Sequence, residues 1–477
     1  MGEVSTFAVP FVVRGRIHDQ ATIEHNGAGF RFVTPDPLEV LPELPLASYA
    51  AMADLHELSM GDIIDFLAEL GKRLNPDENP HMRQAFELSV FTSNLPERVL
   101  RTIYSEQLDF FFRPEVLADA VERRIGTAYL EGWVDELGPD GRSVRIRAYG
   151  ARTAHVIAGN TPGVAAITIA RNALTRGDAI IKTPRNDPMT AAAIAATMVD
   201  FAPDHPLTRH VSVLYWRGGD ESIEPRIFSP ATVDKIVAWG GSDAIKNAGH
   251  YVGPGVELIA LDPKRSISLI GPDALDGGPG QTEAAHRLAS DVGLFNQEGC
   301  VSPRVAYVST EGVPDAGTRV RALANDVYGA LGRLPPSYSA PVQRLPLALA
   351  EELKMAKLLG DPWVVGGDTT GGVVVSSNNE TVEFAEQMAC RHVNLVPTED
   401  FDQVIEGITS TVQTVGVWPE SLRLDLRHRL SLAGAQRVVD LGGATNPFGN
   451  QTLPQDGIEV LRRMCRWIVD EGEPDEN

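Results

Sequence analysis

The sequence predicts an α/β protein with two α/β lobes behind a mostly helical N-terminal region. Three observations lead to that reading. Between His155 and Ile270, short apolar runs alternate with helical segments, the signature of a parallel sheet with helices on both faces. A second strand–helix stretch runs from about 281 to 440. Ahead of both, from Ser48 to about Arg124, apolar residues recur at three- and four-residue intervals, as in Leu55, Leu58, Met60, Ile63, Phe66, Leu67 and Leu70.

Residues 1–128 make up the N-terminal region. To about residue 50 it is irregular and proline-rich, and the alternation at Phe30-Arg31-Phe32-Val33-Thr34 reads as an edge strand. Asn75-Pro76-Asp77 ends the first helical run, and a second begins near His81. Over 129–154, the turn Gly138-Pro139-Asp140-Gly141 joins two extended pieces into a hairpin, whose second arm alternates from Ser143 to Tyr149.

Residues 155–270 carry the strands His155–Ala158, Ala179–Lys182, Val211–Tyr215, Lys235–Trp239, Val256–Leu261 and Ser266–Ile270. Helical segments separate most of them, including the Ala-rich run from Met189 to Phe201, which is the pattern of a Rossmann-type nucleotide-binding domain. Residues 271–445 form the second α/β lobe. In the closing segment, 446–477, the loop Asn446-Pro447-Phe448-Gly449 precedes a last helix expected from Ile458 to Glu471.

Composition sets outer limits on function. At roughly 150 residues per domain, 477 residues suffice for about three compact regions. Hydrophobic residues at 43% and charged residues at 22% are ordinary globular usage. The net charge of −22 argues against nucleic-acid partners and against anionic membrane surfaces. Cys300, Cys390 and Cys465 are too few and too widely spaced for a disulfide scaffold, and fit a reducing cytosol. Without a C-x-x-C pair, no metal is expected. No apolar run is long enough for a membrane span, and Val9–Val13 is too short for a signal-peptide core, so a cytoplasmic protein is expected. The start, Met1-Gly2-Glu3-Val4-Ser5-Thr6, matches a myristoylation pattern that short sequences also meet by chance.

Candidate chemistry gathers at a few points. The G-x-G-x-x-G fingerprint and the Walker A loop are both absent. Gly240-Gly241-Ser242 follows a strand end, where two glycines allow backbone approach and Ser242 can open a helix; Gly-Ser loops also end many strands without binding anything. Lys182, at another strand end, suits a ribose hydroxyl or a phosphate, or simply solvent. Cys300 lies in the polar run Phe295-Asn296-Gln297-Glu298-Gly299-Cys300-Val301-Ser302-Pro303, between a helix over about 281–294 and a strand at Val305–Val308. Cys390 and Cys465 lie in stretches of core character and read as small buried hydrophobes.

Together these features resemble the aldehyde dehydrogenase superfamily, and within it the fatty acyl-CoA reductases best known from bacterial luminescence. Gly159-Asn160-Thr161-Pro162-Gly163 resembles the loop whose Asn polarises the substrate carbonyl. Gly177-Asp178-Ala179-Ile180-Ile181-Lys182 resembles the strand ending in a ribose-binding lysine, and Trp239-Gly240-Gly241-Ser242 the nicotinamide-cofactor loop. Asn296-Gln297-Glu298-Gly299-Cys300-Val301-Ser302-Pro303 resembles the nucleophile loop. Leu453-Pro454-Gln455-Asp456-Gly457-Ile458 and Arg466-Trp467 resemble the subgroup's closing pattern. The match runs over about 130–470, in the family's order.

The resemblance implies an aldehyde-dehydrogenase-like fold and an oxidoreductase that reduces a long-chain acyl-CoA or acyl-protein thioester to the aldehyde through a Cys300 acyl-enzyme. Asn160 would hold the oxyanion, and Lys182, Gly240, Gly241 and Ser242 the cofactor. Where NAD-preferring relatives commonly carry a glutamate three residues after the lysine, this chain has Arg185, which implies NADPH, with NADH as the alternative. The family also implies a homo-oligomer, with the 129–154 hairpin as an oligomerisation element. One departure is informative: the family's water-activating glutamate is replaced by Ala260, which disfavours hydrolysis to a free acid. The second glutamate of the superfamily has no clear counterpart, and the segment around Gln387 and Cys390 has diverged. Glu298 reads as an exposed loop carboxylate and His155 as a strand residue with a hydrogen-bonded ring. A CoA-acylating aldehyde dehydrogenase, an acyl-phosphate reductase, and a cysteine-dependent acyltransferase or thioesterase are the alternatives.

Overall fold

The computed structural model describes residues 6–26, 30–139, 141–446 and 452–471. The start Met1–Ser5, the turn residue Asp140 and the loop residues Pro447–Gly449 lie outside the described residues. The chain divides into two compact units: Met1–Ser93, Ile103–Asp262 and Phe448–Asn477 form the first, and Asn94–Thr102 with Pro263–Pro447 the second.

The first unit is built on a seven-stranded sheet in the order Glu257–Leu261, Lys235–Trp239, Arg152–Val156, Asp178–Lys182, Val211–Leu214, Phe11–Val13, Arg16–His18. The first five strands are parallel. Their apolar runs, such as Ile180-Ile181 and Ile236-Val237-Ala238, are buried on both faces, as a helix-covered parallel sheet requires. The Ala-rich helices Gly163–Leu174 and Thr190–Phe201 are almost wholly buried. The parallel strands begin with Arg152–Val156 and the later ones add on both sides of it, so the strand order reverses there, and the loops at its carboxyl end border a topological switch point.

N-terminal strands complete this sheet where an irregular segment is expected: Phe11–Val13 pairs antiparallel with Val211–Leu214. Arg31–Thr34 is central in its own three-stranded sheet, not an edge, because Thr6–Ala8 and Ile23–Asn26 pair on either side of it. The expected helices form. Met60–Lys72 is opened by a Ser59–Asp62 capping box, and Pro80–Thr92 is capped by Asn79.

The hairpin Val134–Leu137/Ser143–Tyr149 is extended by a third strand, Arg466–Asp470, paired to Ser143–Tyr149. This corrects the last element: the expected helix Ile458–Glu471 is only the short helix Val460–Met464, followed by that strand. A two-stranded hairpin is marginal alone, and the alternating Arg466-Trp467-Ile468-Val469 segment supplies the missing neighbour.

The second unit holds another seven-stranded sheet, ordered Trp363–Asp368, Gly371–Val375, His392–Thr398, Val305–Ser309, Arg265–Ile270, Val412–Trp418, Arg437–Asp440. The strand read from sequence as the last of the cofactor lobe, Arg265–Ile270, therefore belongs here, paired with Val305–Ser309 and Val412–Trp418. Pro263 breaks the chain between the two sheets. Leu288, Val292, Leu323 and Val327 of the helices Pro279–Gly293 and Ala316–Arg333 pack in one core with Val308 and Leu395 of the sheet, and Leu426 and Leu430 pack with Leu269 and Val415 in a second. Among the described residues, no helix is long and apolar enough to cross a membrane.

Candidate active site

The helix Pro279–Gly293 runs into a tight turn at Leu294–Gln297, and the chain then takes an unusual course. Phe295, Asn296 and Gln297 all adopt left-handed backbone angles, with φ of 48°, 52° and 69°. Non-glycine residues take that conformation only where their surroundings impose it, and such strain clusters at functional sites. Here the restraint is visible. Asn296 grips Ala340 from both sides: its Nδ2 donates to the Ala340 carbonyl (2.6 Å) and its Oδ1 accepts from the Ala340 N–H (3.0 Å). Gln297 Nε2 donates to the carbonyls of Pro303 (2.9 Å) and His392 (2.7 Å), while its Oε1 accepts from the His392 N–H (3.0 Å). Both amides are buried.

The loop so pinned ends at Cys300, which is exposed. Its carbonyl accepts from Ser266 Oγ (2.7 Å), and Ser302 shares a hydrogen bond with Thr445 (3.2 Å). Arg437 donates to the carbonyls of Ala444 and Gly443 (both 2.9 Å). Its pKa is lowered by burial and raised in turn by Asp291 and by Cys300, so a fixed cation lies within electrostatic reach of the thiol. The other two cysteines are buried, as expected. Burial, then the Glu298 carboxylate, pushes Cys390 up to about 11, and burial pushes Cys465 up to about 12. Both stay protonated thiols, whereas a thiolate is needed for attack.

Glu298 corrects the sequence reading. It is not an exposed loop carboxylate: it is half-buried, and desolvation raises its pKa to about 7, with Arg304 opposing. A carboxyl group that titrates near neutrality is suited to carrying protons. His155 lies buried on the strand Arg152–Val156, as expected, with the Asn172 side chain beside its ring. Burial holds its ring neutral, with a pKa of about 4.

The remaining predicted residues lie in the first unit, at the carboxyl ends of its parallel strands. Asn160 is exposed on the loop after Arg152–Val156. That loop is held by Asn186, whose Nδ2 donates to the Gly159 carbonyl (2.8 Å); a Cβ at Gly159 would come within 2.3 Å of the same side chain. Lys182 ends its strand with Nζ 5.7 Å from the Trp216 ring centre. Burial lowers its pKa, and Glu224, which accepts from Trp216 Nε1 (3.1 Å), opposes that shift. Arg185 is exposed and donates to the Asn26 carbonyl. At the end of Lys235–Trp239, Gly240 has φ +149° and Gly241 faces open space, with nothing within 4 Å of an added Cβ. Helix Ser242–Gly249 starts there without a side-chain cap. Asn160, Lys182, Arg185 and the 240–242 loop thus share one edge of one sheet, while Cys300 belongs to the second unit. Sequence reading missed Asn186, Trp216, Glu224 and Arg437, whose roles come from tertiary neighbours.

The family model described as acyl-CoA reductase (LuxC) matches residues 55–467. The long-chain acyl-protein thioester reductase of Aliivibrio fischeri is 27% identical over 473 residues, covering 97% of this chain and 93% of that protein. That of Photorhabdus luminescens is 28% identical over 437 residues, covering 91% and 87%. Among solved structures, the NADP-dependent glyceraldehyde-3-phosphate dehydrogenase of Bacillus halodurans, complexed with NADP, superposes with a TM-score of 0.73 at 13% identity, over 97% of this chain and 99% of that one. A Mycobacterium tuberculosis aldehyde dehydrogenase complexed with NAD+ gives 0.71 at 14% identity, over 100% of both chains. The expected aldehyde-dehydrogenase-like fold is the one observed.

Proposed function

The chain belongs to the acyl-CoA reductase family, and from that membership we propose that it reduces a long-chain acyl thioester, borne by CoA or by a protein, to the aldehyde with NADPH through an acyl-enzyme on Cys300. The observation that carries the reading is the pinned loop: one exposed cysteine on a strained, doubly clamped turn, in a chain whose other cysteines are held as thiols.

The residues at the carboxyl edge of the first sheet fit a nicotinamide dinucleotide. Uncapped N–H groups at Ser242, open space at Gly241, Lys182 and Arg185 supply donors for ribose and phosphate oxygens. When bound, the reduced cofactor supplies one hydride to the acyl carbon.

Cys300 supplies the nucleophile. Its thiolate attacks the thioester carbonyl, a new C–S bond forms, and the bond to the carrier sulfur breaks, releasing the carrier thiolate. The Asn160 amide and the Cys300 N–H would hold the oxyanion, each such donor contributing about 3 kcal/mol. Arg437 favours the Cys300 thiolate electrostatically. After hydride addition, the tetrahedral oxyanion reforms its carbonyl, the C–S bond to Cys300 breaks, the aldehyde leaves, and the Cys300 thiolate is regenerated, while the carrier thiolate takes up a proton. Glu298 is the proton carrier, poised by its pKa of about 7. Ala260 leaves the acyl-enzyme without the carboxylate that would activate water, which supports aldehyde over acid as product.

The test is an assay of aldehyde formation coupled to NADPH oxidation, with a long-chain acyl-CoA, an acylated carrier protein and an acyl phosphate as parallel substrates. Aldehyde from either thioester supports the proposal. Thioester cleavage without NADPH oxidation would make the chain an acyltransferase or thioesterase instead.

A further inference from the structure

A second cleft in the first unit holds none of the residues assigned above to catalysis or to the cofactor. It measures about 620 Å³ and lies between the Tyr49–Glu57 segment and the strands Ser143–Tyr149 and Arg466–Asp470. Gly150, on its wall, precedes the strand Arg152–Val156, so the cleft opens at the amino edge of the parallel sheet, opposite the edge that carries Lys182 and Gly240.

Its charge is unusual for a chain of net charge −22. The arginines around it are paired: Arg145 with Asp470 (2.9 Å), Arg152 with Asp234 (2.7 Å) and Arg176 with Glu131 (3.0 Å). The two that line it are not. Among the described residues, Arg147 and Arg466 make no ion pair; Arg466 lies over the Tyr49 ring at 3.9 Å and Arg147 over the Tyr149 ring at 5.0 Å. Glu57, the one carboxylate on the wall, is exposed and bridges to neither. Two polar atoms are buried here without partners, Arg147 Nε and His56 Nδ1. Burial comes first in holding His56 neutral, followed by the positive field of Arg176, Arg147 and Arg466.

Unpaired guanidiniums are normally left to solvent or given a counter-charge, and here one nitrogen is buried without either. We infer that this cleft is a binding site for a small organic phosphate monoester. Two planar guanidiniums match the near-dianionic charge of such a group and the several acceptor oxygens of its tetrahedral phosphate, whereas a monocarboxylate would leave one of them unmatched. A lone phosphate would leave most of the volume empty. Tyr49, Tyr149, Met52 and Ile468 offer an apolar and aromatic wall to an organic remainder.

The probe is phenyl phosphate, titrated calorimetrically into the full chain, with phenol and benzoate as controls. The expected result is saturable binding of phenyl phosphate, weaker binding of benzoate and none of phenol. The double variant Arg147→Gln/Arg466→Gln should lose roughly tenfold or more in affinity, and Lys182→Ala should leave it unchanged. Absence of saturable binding, equal affinity in the double variant, or loss of binding in Lys182→Ala would overturn the assignment. Should the double variant fail to fold, arginine footprinting with phenylglyoxal on the native chain decides. Phenyl phosphate should slow modification of Arg147 and Arg466 but not of Arg423. Protection that rises with protein concentration and ignores phenyl phosphate would mean that a second copy of the chain fills the cleft, and would equally overturn it.

Discussion

Gln297 and His392 exchange two hydrogen bonds, amide to carbonyl at 2.7 Å and N–H to amide oxygen at 3.0 Å, across 95 residues of sequence. The pair ties the turn before Cys300 to a central strand of the second sheet. The left-handed backbone at Phe295, Asn296 and Gln297 is thereby held by hydrogen bonds rather than by glycine. Gln297→Leu leaves buried groups at Pro303 and His392 unpaired, which costs about 1–3 kcal/mol each. A lowered Tm is expected, together with slower alkylation of Cys300 by iodoacetamide. Unchanged alkylation at lowered Tm would show that the clamp serves stability alone.

Glu298 titrates at about 7 because burial raises it from 4.5. The folded state therefore favours the protonated form: this contribution to stability is complete below about pH 4.5 and is lost as pH rises through about 7. Glu298→Gln should abolish that pH dependence of Tm and flatten the limb of the kcat/KM profile near neutrality, with activity lower by about a hundredfold. A limb that stays in place in Glu298→Gln would assign proton transfer to another group.

Ala260 lies on the strand Glu257–Leu261, in register with Ala238. If the missing carboxylate is what protects the acyl-enzyme from water, Ala260→Glu should raise the ratio of free acid to aldehyde. Product analysis by gas chromatography checks this; an unchanged ratio removes the explanation.

Arg185 sets the cofactor preference on this account. A charge-assisted contact of about 1.5–3 kcal/mol corresponds to roughly a 10- to 150-fold preference. Arg185→Glu should cost NADPH that factor in kcat/KM while sparing NADH. Equal NADPH use by wild type and variant would show that Arg185 does not meet the phosphate.

The elements most legible in the sequence are those whose environment is local and uniform. Lys235–Trp239 is found to the residue, because a parallel strand buried on both faces shows as an apolar run, here Ile236-Val237-Ala238-Trp239 after Lys235. Sheet membership is another matter. Nothing within Arg265–Ile270 says that it pairs with Val305–Ser309 rather than with the first sheet, since that choice is made by partners far along the chain. The same holds for Arg466–Asp470, whose alternation becomes a strand only beside Ser143–Tyr149. At the site, the polar run around Cys300 points to the nucleophile loop, but the burial that shifts Glu298 and the partners of Asn296 and Gln297 come from tertiary packing.

The most direct measurement of the central claim is intact-peptide mass spectrometry after incubation with a long-chain acyl-CoA, before and after NADPH is added. The account predicts an acyl adduct on the Cys300 peptide that disappears with NADPH as aldehyde forms, and neither adduct nor aldehyde in a folded Cys300→Ala variant. An adduct on Cys390, or aldehyde formation that survives Cys300→Ala, would contradict it.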